Sequence, residues 1–512
     1  MNVIERLENV ARENSGKTAF ESVAGKVTYG ELWDRSDRLA SWIDKKQGGD
    51  KTPVVVYGHK DPWMLVCFFA CVKSGRAYCP VDVSMPGDRV MDIVEKLGNP
   101  LVLATEAMEY EDAYGIDNLK RIAETEEPID KAKWAAGDEL FYIIFTSGST
   151  GLPKGVGITV DNLTNFTDWS RTLGKEYADE ERIFLNQAPL SFDLSVMDIY
   201  TGLTSGSTIC SIDKDMQQDS AALLEYIKEK KVSYWVSTPS FADLIMTSPE
   251  FNGEEFRHLK NFFFCGERLS VSTARELMRR FPDGTVINTY GPTESTVAVT
   301  DVVITGEMLG KADLPIGRVR KGTEIHIIDE NGSMVSGETA GEMVICGDTV
   351  SPGYYGDEVK TSAVFRNGSN GARCYRTGDR GFYGSDGMLY ITGRMDLQIK
   401  FHGYRIELGD IEQNLLNIGN VKGACVLPKE KDGKVQQLVA FLICPGSEGT
   451  FAERKAIRNE LKEKLPEYMV PKKIVFVDSI PITSNGKTDR KKMGEKRFRS
   501  EERRVGKECR SR

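Results

Sequence analysis

The sequence has few histidines and no long apolar run, and both absences restrict the kind of protein it encodes. Only 4 of the 512 residues are His, so a His-rich metal site is not expected. The most apolar run, WMLVCFFACV at 63–72, is shorter than the roughly 20 residues that cross a bilayer. We expect a buried helix there. The formal net charge of −9 disfavours nucleic acid as a partner, because binding its phosphates needs a basic surface.

The sequence also lacks CxxC pairs and a secretion signal. Its 10 cysteines are scattered, mostly in apolar stretches, which predicts reduced, buried thiols rather than disulfides or zinc. The opening residues MNVIERLENVARENSGKTAF place acids among bases without an apolar centre, which predicts an amphipathic helix instead of a signal peptide. We therefore expect a cytoplasmic monomer without membrane insertion.

Short β-branched or aromatic runs alternate with helical patterns over roughly the first 390 residues. The clearest strand candidates are 53–58, 100–105, 232–238 and 261–266. The clearest helix candidates are 220–230 and 271–281. Such alternation predicts an α/β fold with largely parallel sheets.

The pattern changes twice towards the end of the chain. Short strands and Gly turns, as in EIHIIDENGSMV and GEMVICGD, predict a β-barrel-like subdomain at about 312–395, the last part of an N-terminal core at 1–395. After GRMDLQIKFHGYRIE we place a separate α+β domain at 396–498. The stretch RSEERRVGKECRSR at 499–512 lacks apolar periodicity and resembles a translated sequencing adapter. We expect a non-native tail there; a disordered basic tail is the alternative.

The stretch FYIIFTSGSTGLPKGV at 141–156 runs from an apolar strand into a Gly-rich loop. Glycines let backbone N–H groups turn towards an anion, and Lys154 adds a positive charge that suits phosphate. The spacing does not match a Walker A loop, and a polar surface loop is the alternative. The hydroxyl donors of this loop are Thr146, Ser147, Ser149 and Thr150.

A second loop, NTYGPTEST at 288–296, combines an aromatic ring, a Gly-Pro turn, hydroxyls and a carboxylate. Tyr290 can stack on a base, Thr293 can donate to a phosphate, and Glu294 can hold Mg²⁺. An ordinary turn with a helix cap is the alternative, since PTES also fits one.

Three further stretches carry charged candidates. Asp379 in YRTGDRG can accept both hydroxyls of a ribose, unless it only forms a turn. GRMDLQIKFHGYRIE and SNGKTDRKK supply the remaining charged candidates, which are Arg394, Asp396, Lys400 and Lys487. Each of these stretches is weak evidence alone, because an exposed charged residue is usually only solvated.

In this order, and over nearly the whole chain, the motifs resemble those of the adenylate-forming superfamily, which includes acyl-CoA synthetases, firefly luciferase and amino-acid adenylation domains. The resemblance implies a large N-terminal domain of two α/β layers and a β-barrel, followed by a small mobile domain. It also implies ATP and Mg²⁺ as cofactors. A carboxylate attacks the α-phosphate of ATP and releases pyrophosphate, and a thiol then takes the acyl group from the adenylate.

The resemblance also assigns roles to single residues. Lys487 is the cation that bridges the substrate carboxylate and the AMP phosphate, and Glu294 holds the metal. Asp396 is the hinge, and Lys400 replaces Lys487 for thiolation. Ile391 and Thr392 differ from the residues that close relatives often have. The implied ATP contacts are Thr146, Ser147, Ser149, Thr150, Lys154, Asn288, Thr289, Tyr290, Gly291, Pro292, Thr293, Asp379, Ile391, Thr392, Gly393, Arg394 and Lys487.

The stretch APLSFDLSVMDIY at 188–200 places Asp193 in an apolar setting. A buried carboxylate needs a cationic partner, and amino-acid-activating relatives carry an Asp in this motif. A substrate ammonium is therefore the expected partner; the alternative is an Asp that caps the next helix. Cys265 in FFFCGE is expected to narrow the pocket, unless it is a packed core thiol. Val297 adds an apolar wall.

A small pocket with an ammonium site predicts alanine, glycine or serine as the substrate. Within the superfamily, the pocket motifs resemble those of enzymes that activate D-alanine. Those enzymes pass it to the phosphopantetheine thiol of a D-alanyl carrier protein, for D-alanylation of teichoic acids. Residue types do not separate D- from L-alanine, so a stand-alone enzyme for L-Ala, Gly or Ser is the alternative. Asp193 disfavours a luciferase-like oxygenase, and the four intact polar motifs disfavour a non-catalytic nucleotide-binding protein.

Overall fold

The computed structural model describes residues 1–148, 152–175, 181–368, 371–431, 434–447, 449–481, 488–490 and 492–494. The predicted site residues Ser149, Thr150 and Lys487, and the tail at 499–512, lie outside these ranges. The chain divides into two compact units. The first is built from Met1–Val83, Ile93–Thr146 and Lys154–Asp396, and the second from Ser84–Asp92, Ser147–Pro153 and the chain from Leu397 onward.

The helices of the described residues are α1 Val3–Glu13, α2 Tyr29–Gln47, α3 Pro62–Lys73, α4 Gly87–Lys96, α5 Ile116–Thr125, α6 Val160–Ser170, α7 Leu194–Leu203, α8 Lys214–Gln218, α9 Ser220–Glu229, α10 Pro239–Ile245, α11 Val271–Arg280, α12 Glu358–Val364, α13 Leu408–Leu416 and α14 Phe451–Lys464. None of these helices is long and apolar enough to cross a membrane.

The first fifteen strands are β1 Thr18–Ser22, β2 Gly25–Thr28, β3 Val54–Gly58, β4 Tyr78–Asp82, β5 Val102–Ala104, β6 Ala113–Gly115, β7 Leu140–Thr146, β8 Lys154–Thr159, β9 Ile183–Asn186, β10 Thr208–Ser211, β11 Tyr234–Ser237, β12 Asn261–Phe264, β13 Thr285–Tyr290, β14 Thr300–Val303 and β15 Arg318–Val319. Those that follow are β16 Thr323–Ile328, β17 Gly341–Gly347, β18 Gly353–Tyr354, β19 Phe365–Asn367, β20 Arg373–Tyr383, β21 Leu389–Arg394, β22 Gln398–Phe401, β23 Tyr404–Glu407, β24 Gly423–Lys431, β25 Lys434–Ile443 and β26 Lys473–Phe476.

Two large mixed sheets organise the first unit. One has the order β15-β14-β13-β12-β11-β9-β10-β1-β2 and is parallel from β13 to β1. The other has the order β18-β8-β7-β4-β3-β5-β6 and is parallel from β7 to β6. Antiparallel strands form both edges of the first sheet and the β18-β8 edge of the second, whereas the other edge strand, β6, is parallel to β5. The predicted α/β class, with a large N-terminal domain and a smaller C-terminal one, is confirmed.

Local sequence accounts for the helices that cover these sheets. Helix α3 is the predicted buried helix, and its residues from Met64 to Lys73 are all buried. It begins where the Asp61 carboxylate accepts a hydrogen bond from the Trp63 N–H, with Pro62 at the first position. Helix α1 starts with a capping box from Asn2 and Glu5 and buries one apolar face, as expected for an amphipathic helix.

The expectation of reduced cysteines is wrong for one pair, because Cys346 and Cys374 form a disulfide. They lie opposite each other on the antiparallel strands β17 and β20, with Cα atoms 4.0 Å apart. Sequence spacing hid this register, since 28 residues separate the two cysteines along the chain. Seven other cysteines of the described residues are free and buried, as predicted.

The two β-rich regions predicted towards the end of the chain have separate sheets. In the first unit, β16, β17, β20 and β19 form an antiparallel sheet in that order, and β21 pairs with β20. In the second unit, β24, β25 and β26 form a sheet whose apolar face packs with α13 and α14 into its own core. The hairpin of β22 and β23 precedes it. The second unit is therefore α+β, as the pattern predicts.

Candidate active site

Several predicted site residues of the first unit follow parallel strands of the nine-stranded sheet. Cys265 follows β12, the loop from Gly291 to Val297 follows β13, and the loop that ends at Asp193 follows β9. These strands are consecutive in the sheet except for β11 between β12 and β9. Their carboxyl ends lie at one sheet edge, which is where α/β sheets hold ligands.

Asp379 is a buried carboxylate within β20, so the interpretation as a turn former is wrong. The Tyr290 hydroxyl donates to it at 2.6 Å, and the Arg394 guanidinium donates to its other oxygen. Arg394 also donates to both carboxylate oxygens of Asp396, at 2.7 and 2.6 Å. One guanidinium thus holds the predicted ribose carboxylate and the predicted hinge carboxylate. Burial and Asp379 raise the pKa of Tyr290.

Lys154, Glu294 and Tyr354 form a second polar cluster. Glu294 is fully buried, and its Oε1 accepts a hydrogen bond from the Tyr354 hydroxyl at 2.8 Å. The Lys154 Nζ lies 3.7 Å from the same oxygen and donates to the Tyr354 hydroxyl at 3.3 Å. The phosphate-loop lysine and the predicted metal carboxylate therefore meet at one tyrosine.

Tyr354 was missed by sequence reasoning, which gave no role to the stretch SPGYYGD. A tyrosine in a Gly- and Pro-rich connection is a usable signal, because such loops carry few buried aromatic side chains. The backbone on either side of Tyr354 is hydrogen-bonded to the segments that carry Glu294 and Lys154: the Ser351 N–H donates to Glu294 O, and the Tyr355 N–H donates to Gly155 O. This segment thus holds the two charged side chains together.

Replacing Tyr354 with Phe is expected to lower the free energy of unfolding by about 1–3 kcal/mol, because the buried Glu294 carboxylate loses a donor. Urea unfolding of the two proteins measures the difference. The adjacent and less buried Tyr355→Phe is the matched control and should change stability by less than about 0.5 kcal/mol. Equal changes in both variants would contradict the assigned contact.

The start of the phosphate loop has an unsatisfied hydroxyl that fits an anion. Thr146 pairs in register with Lys154 across β7 and β8, and its buried Oγ1 has no hydrogen-bond partner among the residues that the structure describes. A buried hydroxyl without a partner is costly, and a phosphate oxygen would satisfy it. Ser147 belongs to the second unit, where its hydroxyl donates to Arg405 O at 2.7 Å and accepts from the Glu407 N–H at 3.3 Å.

Asp193 and Thr293 lie in contact although 100 residues separate them, and the Thr293 hydroxyl donates to Asp193 Oδ2 at 2.5 Å. Asp193 precedes α7, yet its side chain makes no capping hydrogen bond. The alternative of a helix-capping Asp is therefore wrong. Thr293 is the first residue of a 3₁₀ helix whose N-cap residue is Pro292. The Thr293 hydroxyl does not cap this helix, because it donates to the Asp193 carboxylate.

The two predicted pocket walls are also in contact. The Cys265 thiol is buried and lies 3.7 Å from Val297 O. Thr296 and Val297 both have positive φ, 60° and 68°, which is strained for β-branched residues. Gly291 permits this path, because a Cβ there would lie 2.5 Å from Ala298 Cα. The wall is therefore held by close backbone packing.

Several residues that were predicted to contact ATP donate side-chain hydrogen bonds to backbone carbonyls of the protein. Asn288 donates to Pro315 O, Thr289 to Phe264 O, and Thr392 to Arg380 O. Gly393 and Ile391 lie on β21 opposite Arg380 and Gly381. Lys400 lies on β22 of the second unit, opposite Arg405. Their predicted roles in ligand binding stay predictions.

Tyr142 is another residue that the sequence did not single out. It lies on β7, is fully buried, and its hydroxyl has no hydrogen-bond partner within the described part of the chain. Burial raises its pKa, and the nearby Asp193 carboxylate raises it further. The FYIIF pattern indicated only a core strand, because its tyrosine alternates with apolar residues.

The geometry agrees with comparisons to known proteins. The family model described as AMP-binding enzyme matches residues 7–355, and that of the AMP-binding enzyme C-terminal domain matches 410–487. These matches agree with the loops at the strand ends and with the polar clusters described above. The chain belongs to the AMP-binding enzyme family.

Among curated proteins the chain is similar to the D-alanine--D-alanyl carrier protein ligase of Bacillus licheniformis, with 42% identity over 97% of this chain and 99% of that protein. It is 43% identical to the protein of the same name from Bacillus cereus strain B4264, over 96% of this chain and 99% of that one. Among solved structures, holo-PA1221, an NRPS protein containing adenylation and PCP domains, has a TM-score of 0.82 at 26% identity, over 96% of this chain and 84% of that one.

Proposed function

We propose that this chain is an ATP-dependent ligase that converts D-alanine to D-alanyl-AMP and transfers the D-alanyl group to the phosphopantetheine thiol of a D-alanyl carrier protein, for D-alanylation of teichoic acids. The observation that best supports this proposal is the contact between Asp193 and Thr293, together with the contact between Cys265 and Val297, the two predicted pocket walls. A carboxylate that accepts a hydroxyl hydrogen bond, in a site whose other predicted members are the buried Cys265 and Val297, suits a small amino acid with a free ammonium group. The curated relatives described above support the same assignment.

In the first step the substrate carboxylate oxygen attacks the α-phosphorus of ATP, and the bond to the bridging β-phosphate oxygen breaks. Lys154 and the Thr146 hydroxyl bind the departing pyrophosphate in this proposal; the Lys154 ammonium lies in the polar cluster with Glu294, and the buried Thr146 hydroxyl has no partner among the described residues. Asp379 accepts the ribose hydroxyls, and Lys487 bridges the carboxylate and the α-phosphate. The reaction joins anionic partners, so positioned cations matter more than an acid or base.

Glu294 is the residue that would hold Mg²⁺, which neutralises phosphate charge when bound. Its buried carboxylate supplies the kind of oxygen donor that Mg²⁺ takes together with phosphate oxygens, so this residue fits the metal. Among the described residues no group of three or more His, Cys, Asp or Glu is arranged to hold a metal. One carboxylate with ATP oxygens is the usual arrangement for Mg²⁺.

In the second step the carrier thiolate attacks the acyl carbon, and the bond from that carbon to the AMP oxygen breaks. As the resemblance implies, Asp396 is the hinge between the two steps and Lys400 serves thiolation. Arg394 holds the Asp396 carboxylate through two hydrogen bonds. In this proposal, rotation about the hinge requires release of that contact.

Exchange of labelled pyrophosphate into ATP tests the proposal, with D-Ala, L-Ala, Gly, Ser and acetate as separate substrates. D-Ala should be preferred, and acetate should be inactive because it lacks the ammonium group. A preference for L-Ala, Gly or Ser would support the alternative, a stand-alone enzyme for another small amino acid. Loading of purified carrier protein from ATP and D-Ala then tests the transfer step.

Replacing Cys265 with Ala is expected to widen the pocket. The relative kcat/KM for D-2-aminobutyrate over D-Ala should rise about 10-fold, since one methylene in an apolar pocket is worth about 1–3 kcal/mol. Cys210→Ala removes another buried thiol from the same sheet and should leave the ratio unchanged. An unchanged ratio in the Cys265 variant would mean that this thiol only packs in the core.

A further inference from the structure

Lys60 is a buried lysine that none of the roles above uses. It is 2% exposed, and its Nζ donates to three backbone carbonyls: Asn186 O at 3.2 Å, Gln187 O at 2.8 Å and Ile212 O at 2.7 Å. Lys60 follows β3 of the seven-stranded sheet, whereas the three carbonyls lie at or just after the ends of β9 and β10 in the other sheet. One ammonium group thus ties the two sheets together at their carboxyl ends.

The backbone of Lys60 is fixed in an unusual conformation. Its φ is +53°, in the left-handed region that residues other than Gly rarely adopt. The connection is short, because β3 ends at Gly58 and Asp61 already caps α3. A strained residue persists only where its surroundings hold it, and the three carbonyl contacts supply that hold.

The carbonyls that Lys60 binds begin the loop that carries Asp193. The Asn186 side chain donates to Ala188 O at 3.2 Å, and the Phe192 N–H donates to Pro189 O at 3.0 Å. A continuous set of contacts therefore runs from Lys60 along this loop to the residue before Asp193.

The far side of the loop is anchored to the same network. Asn186 Nδ2 also donates to Asp198 Oδ1 at 3.0 Å, and Asp198 lies fully buried on α7, five residues after Asp193. Burial lowers the pKa of Lys60 to about 7, while Asp198, Asp82 and Asp213 oppose that shift. His59 pairs with Asp82 at 2.6 Å. The amine is thus held by three backbone carbonyls, and the three nearby carboxylates favour its charged form.

We propose that Lys60 is a positioning residue for the amino-acid substrate: by binding the carbonyls of Asn186 and Gln187 it fixes the loop that places the Asp193 carboxylate. The inference rests on the proposed function, in which Asp193 binds the substrate ammonium. Lys60 contacts none of the residues predicted to bind the phosphates of ATP, including Lys154. We therefore expect it to affect the binding of the amino acid and not the binding of ATP.

The test compares Lys60→Met with Lys73→Met. Lys73 is an equally buried lysine, at the end of α3, and its Nζ contacts Trp33 O, Ser36 Oγ and Asp37 Oδ1. In pyrophosphate exchange, Lys60→Met should raise the KM for D-Ala about 10-fold with the KM for ATP nearly unchanged. Lys73→Met should lose stability and leave both constants unchanged. Lys60→Arg, which keeps donors and charge, should recover part of the loss.

Hydrogen exchange of the backbone amides at 187–193 gives a readout that needs no substrate. Exchange there should be faster in Lys60→Met than in wild type, and unchanged in Lys73→Met. Unchanged protection, or an equal rise of the D-Ala KM in both variants, would overturn the inference. If Lys60→Met does not fold, Lys60→Arg and Lys60→Gln carry the same comparison. Absence of D-Ala exchange in wild type, with altered loop protection in Lys60→Met, would refute the proposed function instead.

Discussion

Replacing Asp193 with Asn is expected to lower kcat/KM for D-Ala by about 10²- to 10³-fold, because a buried substrate ammonium loses its counter-charge at a cost of about 3–5 kcal/mol. Asn keeps the size of the side chain and can still accept from the Thr293 hydroxyl, a 2.5 Å contact in the native protein. The fold and the KM for ATP should therefore change little. Pyrophosphate exchange at varied D-Ala and ATP measures both constants.

Propionate separates the charge of Asp193 from its shape, because it lacks the ammonium group of D-Ala. Wild type should reject propionate, and Asp193→Asn should reduce the discrimination between the two acids. Thr293→Val keeps the charge and removes the hydroxyl, so it should lower kcat/KM by only about 5- to 10-fold. An equal loss for both acids in Asp193→Asn would show that Asp193 only supports the fold.

Replacing Lys487 with Ala is expected to reduce adenylation by about 10³-fold, the upper range for removing one group that stabilises transition-state charge. The reason is electrostatic: the attacking carboxylate and the α-phosphate are both anionic, and the lysine bridges them in the assignment that the resemblance implies. Lys487→Arg should recover little, because a planar guanidinium does not replace a compact ammonium.

The exposed Lys492, on the same terminal stretch, gives the matched control, and Lys492→Ala should retain full exchange activity. Transfer from supplied D-alanyl-AMP to the carrier thiol should persist in Lys487→Ala, because the adenylate is already formed. Retained pyrophosphate exchange in that variant would remove Lys487 from the first step.

Local patterns were sufficient for most elements of the fold. The helix expected at 220–230 is Ser220–Glu229, and the strand expected at 261–266 is Asn261–Phe264. Periodicity and capping residues are local properties, so they predict helices and strands without knowledge of the rest of the chain. Domain boundaries and the roles of Lys400 and Asp396 came from pattern and resemblance, and they stay predictions.

Contacts between distant residues were not available from those patterns. No pattern in the sequence assigned a role to Tyr354, and Cys346 and Cys374 were expected to be separate thiols. The hydroxyl donated to Glu294 comes from a residue 60 positions away along the chain, and the disulfide across β17 and β20 depends on strand register. Register is set by how whole sheets pack, and no spacing along the chain records it.

The sequence by itself therefore determined the class of fold, the family motifs and the residue types of the site. The tertiary structure decided which of those residues meet. Thr293 reaches Asp193 because β13 and β9 end at the same edge of one sheet, and Lys60 reaches the start of the Asp193 loop from the end of β3 in the other sheet. Strand order and close packing arise from burying apolar faces of many segments at once, so they belong to the folded chain as a whole.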